Sequence, residues 1–264
     1  MSDVVYLYGF VPAGTLAPPQ ELAGIGAAPV TLLELGPVNA AVSLLPATDF
    51  DAASVEARLQ DVAWVGEQGL AHERVVLWFV DHHRILPARL FSLYTSADAL
   101  RQALESQAGR LAGMLADLGD RREWNLKVAC DPGEMARHAP EVSEQVAALD
   151  AEIATAPPGR RYLMQRQRTD LVRDEVGRAG RRLADELLAE LGAHADEVRT
   201  LPLASVDAEA GTVLLNAALL VRRDREQDLQ TAAEAAVARL RPLGVRASFS
   251  GPWAAYRFLE EGPQ

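Results

Sequence analysis

Cysteine is nearly absent from this chain: Cys130 is the only one in 264 residues. An intramolecular disulfide is therefore excluded, and a cytoplasmic setting is the expectation. No stretch reaches the roughly 18 consecutive apolar residues of a membrane span. Met1-Ser2-Asp3 is followed by neither a basic region nor a long apolar run, so no secretory signal is visible. Positive charge is in deficit, with 26 Lys and Arg against 37 Asp and Glu for a net −11. Nucleic acid and anionic membrane demand clustered positive charge and are disfavoured as primary partners. Neither common glycine-rich phosphate loop occurs, because Gly24-Ile25-Gly26 lacks both the third glycine and a preceding strand.

What is present describes a folded chain. Apolar residues make up 49% and charged residues 24%, which argues against wholesale disorder. The length exceeds what one compact core usually holds, so two domains are expected. Charge is uneven along the chain. Between Gly159 and Arg182 stand eight arginines, opposed only by Asp170, Asp174 and Glu175. Such a run is either a solvated helix face with internal ion pairs or a meeting place for an acidic partner.

Val4 to Val11 is β-branched and aromatic and predicts a first strand, ended by Pro12 and Gly14. Residues 12–29 predict a loop with a short helix near Glu21. Val30 to Leu35 and Val38 to Leu45, separated by Gly36-Pro37, predict a hairpin. Asp51 is placed to cap a helix running to Gln68, with Val55, Leu59, Val62 and Val65 on one face. Val75 to Val80 reads as a short buried strand. Ser96 precedes a helix in which Leu100, Leu104, Leu111, Leu115 and Leu118 recur at helical spacing. Gly119-Asp120 breaks that pattern, dividing an N-terminal mixed α/β domain, residues 1–119, from a C-terminal domain, residues 120–264.

The second half opens with a strand, Trp124 to Cys130, and turns at Asp131-Pro132-Gly133 into a helical region. Ala156-Pro157-Pro158-Gly159 stops that helix, because paired prolines cannot continue it. A long helix from Arg161 to Leu191 follows, closed by Gly192. Strands are predicted over Val198 to Val206 and Thr212 to Val221, with a turn at Asp207 to Gly211. A helix over Asp224 to Leu240 and a last strand over Val245 to Phe258 complete the order. With the helices between the first two strands taken as one elaborated crossover, the order is β-α-β-β-α-β. The fold class is therefore α+β, with a modified ferredoxin-like C-terminal domain.

A catalytic constellation is not legible. His82-His83 is the best metal-like pair, but neighbours on a strand point to opposite faces. His72 reads as a turn or packing residue. Cys130 has His138 eight residues on, yet no local motif sets a base beside the sulfur, and a lone cysteine at a strand end reads as a small buried hydrophobe. Glu123 and Asp131 flank the same strand, a spacing expected by chance in an acidic chain. No enzyme, cofactor or metal is expected.

Aromatics are concentrated instead at the ends of second-half elements: Trp124, Tyr162, Trp253, Tyr256 and Phe258. Gly251-Pro252 interrupts the last strand, since proline offers no amide donor and glycine admits angles closed to other residues. The strand must bulge, bend or stop there. Its aromatics either plug the core or form a partner-binding edge.

Five blocks line up in the order of a known family. They are Val5-Tyr6-Leu7-Tyr8-Gly9; His72 to Val76 through Ile85-Leu86-Pro87-Ala88-Arg89; Glu123-Trp124-Asn125-Leu126-Lys127-Val128; Gly159-Arg160-Arg161-Tyr162-Leu163; and Leu215 to Ala218 with Gly251-Pro252-Trp253 and Tyr256-x-Phe258. Together they resemble the gas vesicle proteins of the GvpL/GvpF family over nearly the whole chain. The second block resembles that family's central strand pair. Where the family continues Phe-Gly-Thr after Leu-Pro-x-Arg, this chain has Leu90-Phe91-Ser92, and Ala254-Ala255 stand where prolines are common. The resemblance implies a non-enzymatic, assembly-related role in gas vesicles, with the shell protein GvpA and other accessory proteins as partners. Arg160, Arg161, Tyr162, Trp253, Tyr256 and Phe258 are the candidate contacts. A small-ligand-sensing ferredoxin-like module is the alternative.

Overall fold

The structure, a computed structural model, describes residues 3–203 and 211–259. The chain divides into two compact units, Met1–Arg122 with Pro252–Gln264, and Glu123–Gly251. Residues 252–259 thus group with the first unit, whereas the sequence pattern places them in the second.

The first unit is built on β1 (Asp3–Pro12), whose residues Val4 to Val11 are all buried. A strand apolar on both faces needs cover on both faces. It lies inside a sheet of order β2 (Thr31–Glu34), β3 (Val38–Pro46), β1, β4 (Leu86–Pro87), with β5 (Leu93–Tyr94) also pairing β1. The β1–β3 ladder is antiparallel from Asp3↔Pro46 to Pro12↔Val38, with a bulge between Leu7 and Gly9. Glycine is required at that bulge, because a Cβ on Gly9 would stand 2.5 Å from the Leu86 carbonyl oxygen. The expected hairpin is present as β2–β3.

Three helices follow: α1 (Ala47–Phe50), α2 (Ala52–Arg58) and α3 (Val62–His82). The single helix expected from Asp51 to Gln68 is broken at Leu59 to Asp61. Asp51 caps α2 through the Ser54 amide at 2.7 Å, and Asp61 caps α3 through the Trp64 amide at 3.1 Å. The strand expected at Val75 to Val80 is instead the later part of α3. Its buried residues, Trp64, Gln68, His72, Val75, Val76, Phe79 and Val80, recur at helical spacing. The valine pair favours a strand locally, but burial of one helical face against the sheet overrides that weak preference. The second family-like block is therefore a helix followed by β4, not a strand pair. His82 ends the helix and stacks on Trp78 at 4.5 Å, so the strand argument for its ring does not apply. The leucine-patterned helix after Ser96 is likewise two helices, α4 (Ala97–Leu104) and α5 (Ala108–Leu118).

The second unit begins within β6 (Arg121–Cys130), which is followed by α6 (Pro132–Arg137), α7 (Ala139–Val142), α8 (Glu144–Thr155) and α9 (Pro158–Gly192). Then come β7 (Glu197–Thr200), β8 (Thr212–Arg222), α10 (Glu226–Leu240) and β9 (Val245–Trp253). The sheet order β7-β8-β6-β9 is that of a ferredoxin-like domain, with four helices replacing its first crossover helix. Part of the strand expected to run to Val206, and most of the turn expected after it, lie outside the described residues. The final strand ends at Trp253 rather than Phe258, since Pro252 removes a donor near its end. Trp124, Leu126 and Val128 of β6 and Ala217, Leu219 and Val221 of β8 face one core at strand period. Val172, Val176, Ala179, Leu187 and Leu191 of α9 and Leu229, Ala233, Ala236 and Leu240 of α10 close it at helical period.

Candidate partner-binding site

Helix α9 outruns the sheet. Its buried positions from Val172 onward pack on the core, but in its first turns only Met164 is buried. That early part pairs with α8 as a helical hairpin. Pro157-Pro158 makes the corner, with Pro158 at the first helical position, where its missing amide costs nothing. Arg161 donates to the Ala156 carbonyl at 2.9 Å and Arg168 donates to Asp150 at 2.9 Å, tying the two helices. The Arg168 hydrogen bond holds the Asp150 carboxyl below its usual range. Farther along, the Ser143 hydroxyl, 2.7 Å away, and Arg178 lower the pKa of Glu175.

Most of the arginine run is thus engaged within the fold. Arg161 and Arg168 hold the hairpin, Arg178 pairs with Glu175, Arg173 faces Asp170, and Arg182 donates to the Val142 carbonyl at 2.7 Å. Arg160 and Arg166 are exposed and make no ion pair among the described residues. They flank Tyr162 and Leu163, which remain 69% and 62% exposed. The hairpin tip therefore presents two adjacent large apolar side chains within a small basic field.

The tail aromatics lie elsewhere, in the first unit or at its boundary. Trp253, the last residue of β9, and Phe258 are half-buried, and Ala254 and Ala255 between them are buried. Tyr256 is 37% exposed, and its hydroxyl donates to Glu73 Oε2 at 3.2 Å and lies 3.5 Å from His72 Nε2. The six candidate residues therefore fall in two separate groups, one in each unit.

His72, read from sequence as a turn or packing residue, sits on the inner face of α3 and is 4% exposed. Its Nδ1 lies 2.7 Å from the Tyr6 hydroxyl, which accepts from the Phe91 amide at 3.3 Å. With the amide donating to Tyr6, the phenol donates to Nδ1, and the ring proton belongs on Nε2. Burial lowers the His72 pKa to about 4, partly opposed by the Ala88 carbonyl. Tyr8 continues the buried polar layer: it accepts from the Ile25 amide at 2.8 Å and bonds Ser43 Oγ at 3.0 Å, while Ser43 donates to the Pro29 carbonyl. Burial raises both phenol pKa values. Helical spacing from Trp64 and Gln68 to His72 was the available signal, hidden by the strand assignment just beyond it.

Phe91 adopts φ +63, in the left-handed region that favours glycine. A non-glycine residue there costs about 1–2 kcal/mol. Its ring stacks on Trp64 at 5.3 Å, a contact worth about 0.5–1.5 kcal/mol that offsets part of the strain.

Among the described residues no group of three or more His, Cys, Asp or Glu side chains is placed to hold a metal ion, and no helix is long and apolar enough to cross a membrane. Cys130 is buried, with its thiol pKa pushed up by burial and by Asp131, and His138 bonds Glu141 at 2.9 Å. Two surface grooves stand out. One of about 600 Å³ in the first unit is lined by Glu34, Asp98, Arg101 and Glu105, and one of about 780 Å³ in the second lies between α10 and β9.

Comparison with known proteins matches these features over almost the whole chain. A sequence model described as Gas vesicle synthesis protein GvpL/GvpF covers residues 4–260. Gas vesicle protein L of Streptomyces sp. (strain CB03234) is 33% identical over 242 residues, spanning 91% of this chain and 86% of that protein. The crystal structure of gas vesicle protein GvpF from Anabaena sp. PCC7120 superposes with TM-score 0.70 at 17% identity, covering 99% of this chain and 100% of that one. GvpF from Microcystis aeruginosa gives TM-score 0.66 at 19% identity, covering 97% and 98%. At those identities the two structures speak for the fold, and the sequence matches carry the assignment: the chain belongs to the gas vesicle GvpL/GvpF family.

Proposed function

We propose that this protein is an accessory component of gas vesicles that binds the small hydrophobic shell protein GvpA and keeps it competent for assembly. Other accessory proteins share that work. A hydrophobic shell subunit aggregates unless its apolar surface is covered, and an acidic carrier keeps the complex dispersed. The observation that carries the reading is the hairpin tip, where Tyr162 and Leu163 are exposed beside Arg160 and Arg166. Covering two such side chains contributes roughly 1.5–3 kcal/mol each, enough for a reversible escort. Arg160 and Tyr162 are the primary contacts, and Arg161, whose guanidinium donates to the Ala156 carbonyl, fixes the corner beside them. Trp253, Tyr256 and Phe258 expose less apolar surface and act as a secondary site.

The test is complementation of a gas-vesicle-forming host from which the gene is deleted. Wild-type protein is expected to restore light scattering that collapses under pressure, and Tyr162→Ala/Leu163→Ala to restore much less at equal protein level. Full restoration by the double variant would remove the tip from the mechanism.

A further inference from the structure

The sheet of the second unit ends on β9, so its outer backbone edge has no neighbouring strand among the described residues. Beside it runs the groove of about 780 Å³, lined by Trp124, Ala233, Glu234, Val237, Arg241 and Phe249. Phe249 is half-buried and stacks on Trp124 at 4.9 Å, forming an apolar floor. Along Val245 to Phe249 the side chains alternate, with Ala247 and Phe249 half-buried and Arg246 and Ser248 exposed. Edge strands are usually blunted by bulges, prolines or inward charges. Here Pro252 protects only the far end, and Val245 to Phe249 is left able to pair.

We propose that this edge and groove dock a second copy of the chain across a twofold axis, with β9 antiparallel to its own copy. The charges around the groove are self-complementary. Glu234 on α10 and Arg241, which caps its C-terminal end, are both exposed and line the groove, about 10 Å apart along the helix axis. Neither forms an ion pair among the described residues, whereas neighbouring Arg239 holds Glu190 at 2.6 Å. A twofold axis sets α10 antiparallel to its copy. Glu234 of each protomer then meets Arg241 of its partner, and each contact is made twice. Strand pairing agrees. A twofold axis at Ala247 or Ser248 keeps matching faces together and sets Arg246 opposite a serine, never opposite itself. The exposed Ala238 between the two charges lets the helices approach.

Sedimentation equilibrium of the purified full-length chain, at rising concentration, tests this. The expected result is a monomer–dimer equilibrium. Glu234→Arg or Arg241→Glu alone is expected to weaken it about tenfold, because two exposed attractive pairs become repulsive. The double variant Glu234→Arg/Arg241→Glu is expected to restore it, since the swap recreates both pairs. Both positions are exposed, so circular dichroism should be unchanged. A monomer at every concentration would overturn the proposal and leave the groove to an extended segment of another protein. A dimer indifferent to the single reversals, or one not rescued by the double, would overturn it equally.

Discussion

Lowering the pH from 7 to 5 should destabilise this protein through one residue, His72. Its folded pKa is about 4 against a usual 6.5, because burial disfavours the charged ring and the Ala88 carbonyl opposes this only in part. Between those values the unfolded chain binds a proton that the folded chain refuses, so stability rises with pH across that window and is lost as pH falls. The full loss, below both values, is about 3 kcal/mol, and about 2 kcal/mol of it falls between pH 7 and pH 5. The carboxylates whose pKa is lowered, Asp150 and Glu175 among them, act in the same direction but start from 3.8 and 4.5, so most of their loss lies below pH 5. Urea unfolding of wild type and His72→Gln at both pH values isolates the effect. The wild type should lose about 2 kcal/mol more than the variant on going to pH 5. Titration of the His72 ring by NMR, assigned by the variant, should show it neutral in the folded protein at pH 5. Equal losses in the two proteins, or a ring titrating near 6.5, would refute the argument.

Phe91→Gly should be less destabilising than Phe91→Ala by about 1 kcal/mol in urea unfolding, reversing the usual order, because only glycine relieves the positive φ. Tyr6→Phe should cost about 1–3 kcal/mol by the same assay, since it leaves both the Phe91 amide and His72 Nδ1 without their partner. Gly244→Ala should lower the melting temperature sharply, by a stability loss of about 2 kcal/mol or more, because φ is +78 and the new Cβ would meet the Met135 amide nitrogen at 2.8 Å. Tyr162→Ala/Leu163→Ala should leave unfolding within about 0.5 kcal/mol of wild type, because both side chains are exposed.

The ferredoxin-like half was largely readable because its strands and helices carry clean periods, as in Trp124-Leu126-Val128 and the apolar stripe of α9. The first half was harder. Val75-Val76 favours a strand over short range, and nothing local reveals that the face running from Trp64 to Val80 lies on a sheet. The breaks at Leu59 to Asp61 and at Glu105 to Gln107 carry no proline, so runs that continue across them read as single helices. The tip residues Arg160, Arg161 and Tyr162 could be named from sequence as a helix start following a proline corner. Their exposure depends on how far α9 projects past the sheet, which only packing determines. The His72 network joins residues from β1, α3 and the tail, a separation that no spacing rule spans.

Co-purification of tagged protein with GvpA, beside an unrelated acidic protein as control, tests the central claim most directly. The account predicts specific retention of GvpA by the wild type and its loss with Tyr162→Ala/Leu163→Ala. Retention no greater than the control would contradict the shell-binding role, and equal retention by both proteins would contradict its placement at the hairpin tip.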